Sequence, residues 1–356
     1  MKKVSVYSVL PASLEYRYEE YIEASRQGID FKLLIGDSGS SIGQSKLMFQ
    51  KIWDVTECRV FQFKKFNYQT STIGKYLFAK YDFFFIQAHL RFLDFWIICL
   101  CNIVLRRKLI VHGQGLYRYK NPGVLRRLAY LLVLQGCFRY LCYNEYCLTD
   151  LRTKLTFSSH KKKATYANNY IRVETSAEIQ KNNVDFIFIG RLRENTGIAE
   201  LLDVFSRSNE DRNFHVVGDG PKLAVLKGKH AADDRIHFHG AQSKSLEIKR
   251  IASKCAFGIY PGDAGLSLLH YAALGIIPIF HNNLSRHMGP ECAYFEKYFK
   301  TLCFKRGEYE DILTTIQKIE RTAQVYELRY QMLKLYRSIE RNSFGAVFSR
   351  LLSNWS

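Results

Sequence analysis

The chain has 356 residues, of which 47% are hydrophobic and 14% aromatic, and its formal net charge is +19. This composition excludes an intrinsically disordered protein, and the length predicts two domains of roughly 150 to 180 residues each. Residues 1–170 contain 26 Lys and Arg against 12 Asp and Glu, whereas residues 171–356 contain 26 against 21. A basic first half attracts polyanions, and nucleic acid, anionic lipid and a pyrophosphate-bearing ligand all qualify.

Cysteine usage and hydropathy exclude several further classes. The nine cysteines form no C-x-x-C pair, which favours reduced, buried thiols in a cytoplasmic protein over a zinc site or a disulfide framework. The N-terminal apolar run is as short as one strand, so no secretory signal is predicted. The most apolar stretch, residues 83–105, is interrupted by His89, Arg91 and Asp94. The part without interruption is shorter than the ~20 residues that a membrane-spanning helix needs, so the stretch predicts a buried strand and helix.

In the first half, short apolar runs alternate with helical patterns, which is typical of β-α-β units. Strands are predicted at residues 4–10, 31–35, 82–86 and 108–112, and a helix at residues 15–27. Residues 125–143 mix arginines with Leu, Tyr and Phe at helical spacing. They predict a helix packed on a sheet or, as the alternative, a basic amphipathic helix on an anionic membrane. The lysine run at residues 161–163 indicates the approaching end of the first domain.

The second half repeats the alternation more cleanly. Strands are predicted in VDFIFIGRL, NFHVVGDGP, RIHFHG, CAFGIYPG and IIPIFHN, and helices in TGIAELLDVFSR, SLEIKRIASK and LSLLHYAALG. The predicted fold class is therefore α/β, with two Rossmann-like domains built on parallel sheets. We expect domains at residues 1–168 and 169–325, followed by C-terminal helices at 326–356 that pack back toward the first domain.

Glycine-rich loops follow four of the predicted strands in the second half. They are Gly190-Arg191, Gly218-Asp219-Gly220-Pro221, Gly240-Ala241, and Pro261-Gly262-Asp263-Ala264-Gly265. Ligands of open parallel sheets bind at the carboxyl ends of strands, where glycines permit close backbone approach and helix N-termini suit phosphate. Each loop alone predicts no more than a turn. The four in this order predict a phosphate site, with Arg191 placed to clamp a diphosphate.

The segments IFIGRL, HVVGDGP, HFHG and YPGDAGLSLLHYAALGIIPI resemble the C-terminal domain of the family-four retaining glycosyltransferases, which have the GT-B fold. LIVHGQGLYR and ATYANNYI resemble that family's first domain more loosely. The resemblance implies two Rossmann-like domains facing across a cleft. It also implies a nucleotide-sugar donor bound mainly by the second domain and an acceptor bound mainly by the first. Transfer would retain the anomeric configuration without a metal or other cofactor.

Site residues follow from the same resemblance. Arg191 would hold the donor diphosphate, the N–H groups of Gly265 and Leu266 would bind it, and His112 would lie beside the donor sugar. The implied catalytic residues are His112, Arg191 and Asp263. The implied donor-binding residues are Gly190, Arg191, Arg193, Gly218, Gly220, Gly262, Asp263, Ala264, Gly265, Leu266, His270 and Glu291.

Three positions depart from the family pattern. Gly262 and His270 stand where many members have glutamates, and Thr196 stands where a lysine is common. Asp263 would replace the first carboxylate, His270 would contact a ribose hydroxyl, and Arg193 would compensate for the lysine.

Structural alternatives stay open at three of the implied site residues. His270 would otherwise be a core residue, His112 would shape a turn, and Glu291 would cap a helix.

The pattern P-G-x-x-G-L-x-x-x-H, followed by H-x-N and G-P-E, is similar to a subgroup that assembles bacterial surface polysaccharides such as O-antigen and capsule. It implies a lipid-pyrophosphate-linked or glycan acceptor and a peripheral position on an anionic membrane, at its cytoplasmic face. A nucleotide-sugar epimerase of the same fold and a basic nucleic-acid-binding protein are the alternative functions. A lectin-like role with a decayed site is a third. Nucleic acid is not an expected partner, because no nucleic-acid-binding motif accompanies the charge.

Overall fold

In the computed structural model, the described residues are 3–12, 15–37, 47–155, 159–175, 179, 184–242, 245–322 and 324–355. The chain divides into two compact units, one formed by Met1–Tyr170 with Arg341–Ser356 and the other by Ile171–Glu340. The second unit thus contains residues 326–340, which the sequence analysis groups with the C-terminal helices. Within the described ranges, no helix has the length and apolarity needed to span a membrane.

The first unit is built on a parallel sheet. Its strands are β1 (Val4–Leu10), β2 (Ile29–Gly36), β3 (Asp54–Cys58), β4 (Val60–Phe63), β5 (Phe66–Gln69), β6 (Phe83–Gln87), β7 (Leu109–Gly113), β8 (Arg139–Cys142) and β9 (Ala164–Tyr166). The sheet has the order β3-β2-β1-β6-β7-β8-β9, while β4 and β5 form a separate antiparallel hairpin. The helices are α1 (Glu15–Arg26), α2 (Thr72–Phe78), α3 (Leu93–Leu105), α4 (Val124–Gly136) and α5 (Glu145–Lys154).

The second unit carries a parallel sheet of its own. Its strands are β10 (Asp185–Ile189), β11 (Phe214–Val217), β12 (Ile236–Gly240), β13 (Cys255–Tyr260), β14 (Ile277–His281) and β15 (Cys303–Phe304), in the order β12-β11-β10-β13-β14-β15. Its helices are α6 (Ile198–Arg207), α7 (Leu223–Lys229), α8 (Ser245–Ala252), α9 (Ser267–Ala273), α10 (Phe299–Leu302), α11 (Asp311–Arg321) and α12 (Val325–Arg341). The predicted α/β class with two parallel sheets is confirmed.

The last helix, α13 (Phe344–Trp355), belongs to the core of the first unit. Its buried face presents Phe344, Phe348 and Leu352 every four residues, as expected for one side of a helix. The rings of Phe344 and Phe348 stack on each other and both contact Phe85 of β6. The C-terminus of the chain therefore completes the hydrophobic core that begins with β1.

The helix prediction over residues 125–143 was wrong in its last third. α4 ends at Gly136, and Arg139–Cys142 is strand β8, paired in parallel with β7. An ideal Cβ on Gly136 would lie only 2.2 Å from the carbonyl oxygen of Cys99, so the backbones of α3 and α4 are in close contact there. Strand pairing outweighs local helical spacing after that contact.

Candidate active site

The candidate site lies at the carboxyl edge of the second sheet, where the strand order reverses between β10 and β13. All strands of this sheet run parallel, so the loops after β10, β11, β12 and β13 emerge at the same edge. Such a reversal opens a crevice between the loops that follow the two central strands. The structure therefore brings together the four glycine-rich loops that the sequence analysis singles out.

Two of these loops are packed backbone against backbone. An ideal Cβ on Gly218 would lie 1.9 Å from the Gly190 carbonyl oxygen, and one on Gly220 would lie 2.3 Å from that of Leu192. Both glycines have positive φ, 141° and 155°. The Leu192 N–H donates to the carbonyl of Asp219 at 2.9 Å. Only glycine permits this spacing, so these residues fix the loop after β10.

Gly262 has a similar packing role. An ideal Cβ there would lie 2.5 Å from the carbonyl oxygen of Asn195 and 2.6 Å from the carbonyl carbon of Thr196. Thr196 is itself buried, and its hydroxyl donates to the Arg193 carbonyl at 2.7 Å. No side chain fits at position 262 without moving the 195–196 backbone, which accounts for the missing glutamate in physical terms.

The loop after β13 is held by two stacked histidines, His281 and His287, whose ring centroids are 3.9 Å apart. His287 accepts a hydrogen bond from the Ala264 N–H through Nδ1 at 3.0 Å and donates from Nε2 to the His281 carbonyl at 2.9 Å. This pairing requires the neutral imidazole, and burial lowers the pKa of His287 to about 4. His287 therefore fixes the conformation of the glycine loop in its uncharged form.

Asp263 is oriented by two neighbours. Its Oδ1 lies 3.1 Å from His281 Nε2 and accepts from Arg306 Nε at 3.2 Å. The carboxylate is partly exposed, whereas His281 is fully buried. Desolvation lowers the pKa of His281, and the neighbouring Asp263 opposes that shift. The arrangement holds one carboxylate at the position where the sequence analysis expects a substitute for the missing glutamate.

Gly265 and Leu266 precede α9. Their backbone N–H groups donate to no residue within the described part of the chain. Glu291 is buried, and its Oε2 would lie 3.9 Å from a Cβ on Gly265. The loop thus has two backbone N–H donors with the Glu291 carboxylate beside them, and such donors and carboxylates are groups that bind phosphate and sugar hydroxyls.

Arg193 approaches the Gly265 end of this loop through Met288. Its guanidinium donates to Met288 Sδ at 3.0 Å, and Met288 packs 3.6 Å from where a Cβ on Gly265 would lie. Arg191 is exposed just after β10, and its side chain makes no ion pair or hydrogen bond to any described residue. Arg191 therefore lies at the correct strand end, while its contact with a diphosphate stays a prediction.

His270 lies in α9 and is partly buried. Its Nδ1 atom is buried and has no hydrogen-bond partner among the described residues, and burial lowers the pKa of His270 to about 4. A satisfied core histidine would have a partner on this atom. The structure thus does not supply the backbone contact that the structural alternative needs, and ribose contact stays a prediction.

His112 lies in β7 of the first unit. Its ring is fully buried against Phe85, Tyr143 and Phe344, and neither nitrogen has a hydrogen-bond partner in the described chain. Burial, and secondarily the charge of Arg17, holds the pKa of His112 well below its usual range. The imidazole is neutral, and its predicted place beside a donor sugar is not tested by these contacts.

A cleft of about 760 Å³ lies at the carboxyl edge of the first sheet. It is lined by the loops after β1, β6 and β7 and by α4, and none of the described residues that line it is acidic. Three arginines, Arg91, Arg118 and Arg126, line it, and the Arg126 guanidinium lies 3.4 Å above the ring of Tyr119. The cleft is therefore equipped to bind an anion beside an aromatic surface.

Sequence reasoning missed His287, Arg306 and this arginine-lined cleft. His287 lies six residues after His281, with no spacing rule that links it to the glycine loop. Of the groups that hold Asp263, only His281 belongs to a quoted motif. The basic first half signals an anion-binding surface without indicating which arginines share a cleft.

The described residues contain no group of three or more His, Cys, Asp and Glu side chains arranged to hold a metal ion. All nine cysteines are free, and seven of them are buried. Burial raises the pKa of several of these thiols, for example that of Cys58 to about 11. The buried thiols with raised pKa values are thus protonated core side chains.

Comparison with protein families gives a match over just under half of the chain. Residues 172–334 match the family described as glycosyl transferases group 1, and this range covers the candidate site and nearly all of the second unit. No curated protein sequence matches the chain. The comparisons favour neither an epimerase nor a nucleic-acid-binding protein.

Solved structures are similar along the full length. Anabaena Alr3699/HepE in complex with UDP has a TM-score of 0.70 and 13% identity, covering 99% of this chain and 100% of that chain. A glycosyltransferase from Rickettsia africae ESF-5 has a TM-score of 0.67 and 13% identity, covering 100% and 98%. The apo form of the lipopolysaccharide outer core galactosyltransferase WaaB has a TM-score of 0.61 and 13% identity, covering 99% and 100%.

At these identities the solved structures show a shared fold, so the chain has the GT-B fold with two Rossmann-like domains. The family match is confined to residues 172–334, and it makes the second unit similar to a group 1 glycosyltransferase domain.

Proposed function

We propose that the protein transfers a sugar from a uridine-diphosphate donor to a lipid-pyrophosphate-linked acceptor, with retention of the anomeric configuration and without a metal. The proposed setting is the assembly of a bacterial surface polysaccharide, O-antigen or capsule, at the cytoplasmic face of the membrane. The uridine base is suggested by the similar structures, one of which is described in complex with UDP. Retention, metal independence and the polysaccharide setting come from the family resemblance, and the donor and acceptor sites are argued from the residues of this chain.

One observation carries the donor assignment: the four glycine loops lie at one edge of the second sheet, and those after β10 and β13 flank its switch point. The Gly265 and Leu266 N–H groups offer two donors, and the arginines at 191 and 193 follow the neighbouring strand β10. A diphosphate needs this combination of fixed backbone donors and bidentate cations. The tight glycine packing keeps the donors preorganised, so binding does not have to order the loop.

The proposed mechanism is mainly electrostatic. As the bond between sugar and phosphate breaks, negative charge grows on the departing diphosphate, and fixed N–H groups and arginines stabilise it. Asp263, held by His281 and Arg306, would bind sugar hydroxyls together with Glu291. The departing diphosphate would take the proton of the acceptor hydroxyl on the same face of the sugar, which gives retention. His112 is assigned to the donor sugar through the family resemblance alone.

The arginine-lined cleft of the first unit is the proposed acceptor site. Arg91, Arg118 and Arg126 would bind the pyrophosphate of a lipid-linked sugar, because the part of the cleft that the structure describes has no carboxylate to repel it. The ring of Tyr119 offers an apolar surface for the first sugar.

Thermal unfolding in the presence of UDP, GDP, dTDP and their sugars tests the donor site. A ligand that binds only the native state raises the melting temperature, by a stabilisation of about 2.7 kcal/mol at one hundred times Kd. We expect a shift with UDP and a UDP-sugar, and loss of most of it in Arg191→Ala.

Arg207→Ala is the matched control, because Arg207 is an exposed arginine in the last turn of α6. This variant should keep the full shift. If UDP raised the melting temperature of Arg191→Ala and Arg207→Ala equally, the assignment of Arg191 to the donor site would be contradicted. Transfer assays with EDTA, and NMR of the product's anomeric configuration, test the absence of a metal and the retention.

A further inference from the structure

We propose that one surface of the first unit binds an anionic lipid bilayer. This docking face consists of the outward side of α3 and α4 together with the β4–β5 hairpin. The inference deepens the proposed function, on which it rests for the lipid-linked nature of the acceptor. It names the surface that brings the arginine-lined cleft to the membrane.

An unpartnered apolar stripe runs along α3. Leu93, Ile97, Leu100 and Val104 are all exposed, and they recur every three or four residues on one side of the helix. The opposite side of α3, with Phe95, Ile98 and Cys99, is buried. Because both sides of α3 are apolar and only one side is buried, the other side exposes apolar surface to water, which is unfavourable.

α4 continues the same surface. Its outward residues Leu125, Leu128 and Leu132 are exposed, with Leu125 at 84%. Gly136 places α4 directly against the backbone of Cys99 in α3, so the two helices lie side by side. Their solvent-facing stripes therefore belong to adjacent helices and form one patch.

The hairpin adds a rim of aromatic side chains and cations. Phe61, Phe63 and Phe66 are exposed, and Phe63 pairs directly with Phe66 across the hairpin. Lys64 and Lys65 form the turn between them. The Asn67 N–H donates to the Arg91 carbonyl, which ties the hairpin to the start of α3. Phenylalanines beside lysines suit the boundary between headgroups and acyl chains.

Charge selects an anionic bilayer as the occupant. Residues 60–140 contain 13 Lys and Arg but only two acids, Asp82 and Asp94. Asp94 is buried and accepts from the Gln69 N–H, while Asp82 accepts from the Ser5 N–H. The elements of the docking face carry four of these cations, Lys64, Lys65, Arg126 and Arg127, and a second copy of the chain would bring the same four and repel the first. Anionic headgroups would instead neutralise these cations.

The cleft adjoins this surface within the same unit. Arg126 lines the cleft, and its neighbour Leu125 belongs to the docking face. Arg91 likewise precedes Leu93 at the start of α3. A lipid-linked acceptor could therefore leave its acyl chains in the bilayer while the pyrophosphate reaches the arginines.

Sedimentation with lipid vesicles tests the proposal on the full chain. The docking variant is Phe63→Glu combined with Leu125→Glu. The matched control is Val225→Glu combined with Leu246→Glu, which changes two exposed apolar residues of the second unit and alters the net charge equally. Vesicles of phosphatidylcholine alone are compared with vesicles that also contain phosphatidylglycerol, and the UDP thermal shift is recorded for each protein.

We expect wild type and control to bind the anionic vesicles and to bind the neutral ones weakly. The docking variant should bind at least about tenfold more weakly and keep the UDP shift. Equal binding by the two variants, or no binding by wild type, would overturn the docking face. The docking face would also be overturned if wild type and control were dimers in size-exclusion chromatography and the docking variant were a monomer. Intact vesicle binding without any nucleotide shift would instead reject the proposed function alone.

Discussion

The carboxyl edges of the two sheets differ in whether backbone atoms or side chains form the site. In the second unit the edge is made of backbone, with Gly218, Gly220 and Gly262 packed too tightly for any side chain. In the first unit the edge is a cleft lined by side chains, with arginines beside a tyrosine. The backbone packing in the second unit holds the N–H donors rigidly. In the first unit the positive charges are on arginine side chains, which can reorient.

This difference explains why the donor site could be predicted from the sequence and the arginine-lined cleft could not. A backbone site needs glycine at set places after strands, so it leaves a pattern. A side-chain site needs only that arginines from separate elements meet, and Arg91, Arg118 and Arg126 lie on different loops and helices. The predictions below test whether each edge depends on the parts named.

The largest effect is expected from Gly218→Ala. The added Cβ would lie 1.9 Å from the Gly190 carbonyl oxygen, and the residue has a φ of 141°. Overpacking and backbone strain act together, so we expect a loss of about 3 kcal/mol in the free energy of unfolding. The UDP thermal shift should also fall, because the loop after β10 must move.

Gly228→Ala is the control for that substitution. Gly228 lies in α7, and a Cβ there would meet nothing within 4 Å. Alanine favours helix, so this variant should be unchanged or up to about 1 kcal/mol more stable by urea unfolding. Similar losses in both variants would show that the backbone packing at Gly218 is not what stabilises the site.

The second expected effect is a loss of protein stability at acidic pH, caused by His287 beside the glycine loop after β13. Burial lowers the pKa of His287 from its ordinary value of 6.5 to about 4. Below pH 6.5 the unfolded chain binds a proton that the folded chain does not, so stability falls as the pH drops from about 6.5 to about 4. The linked change is about 3 kcal/mol at most, and it should vanish above pH 6.5.

Urea unfolding between pH 4 and pH 8 measures this slope. His287→Gln keeps one acceptor and one donor in place of the ring nitrogens but has no charged form. We expect it to flatten the profile by up to about 1.4 kcal/mol per pH unit. His270 and His239 have pKa values lowered in the same direction, so part of the slope should persist. An unchanged slope in His287→Gln would contradict the assignment.

Most of the fold could be predicted from the sequence, because buried parallel strands read as apolar runs between helical patterns. The first strand is predicted at residues 4–10, where the structure has β1. The hairpin β4–β5 and strand β8 were not predicted. FQFKKFNYQ exposes most of its aromatic residues, and the end of the helix before RYLC is marked in the sequence by Gly136 alone. Both depend on pairing partners that local spacing does not encode.

The smallest expected effect tests the side-chain edge. Arg126→Gln removes one of three positive charges from the cleft and the cation above Tyr119. Because two arginines remain, we expect KM for a pyrophosphate-bearing acceptor to rise about tenfold, with kcat and the UDP shift nearly unchanged. A soluble acceptor without phosphate should show no such rise. Arg350→Gln, an exposed arginine on α13 of the same unit, is the control for overall charge. An equal rise in KM for the two acceptors would show that the cleft does not bind the anion. A contact with the pyrophosphate should raise KM only for the acceptor that carries it.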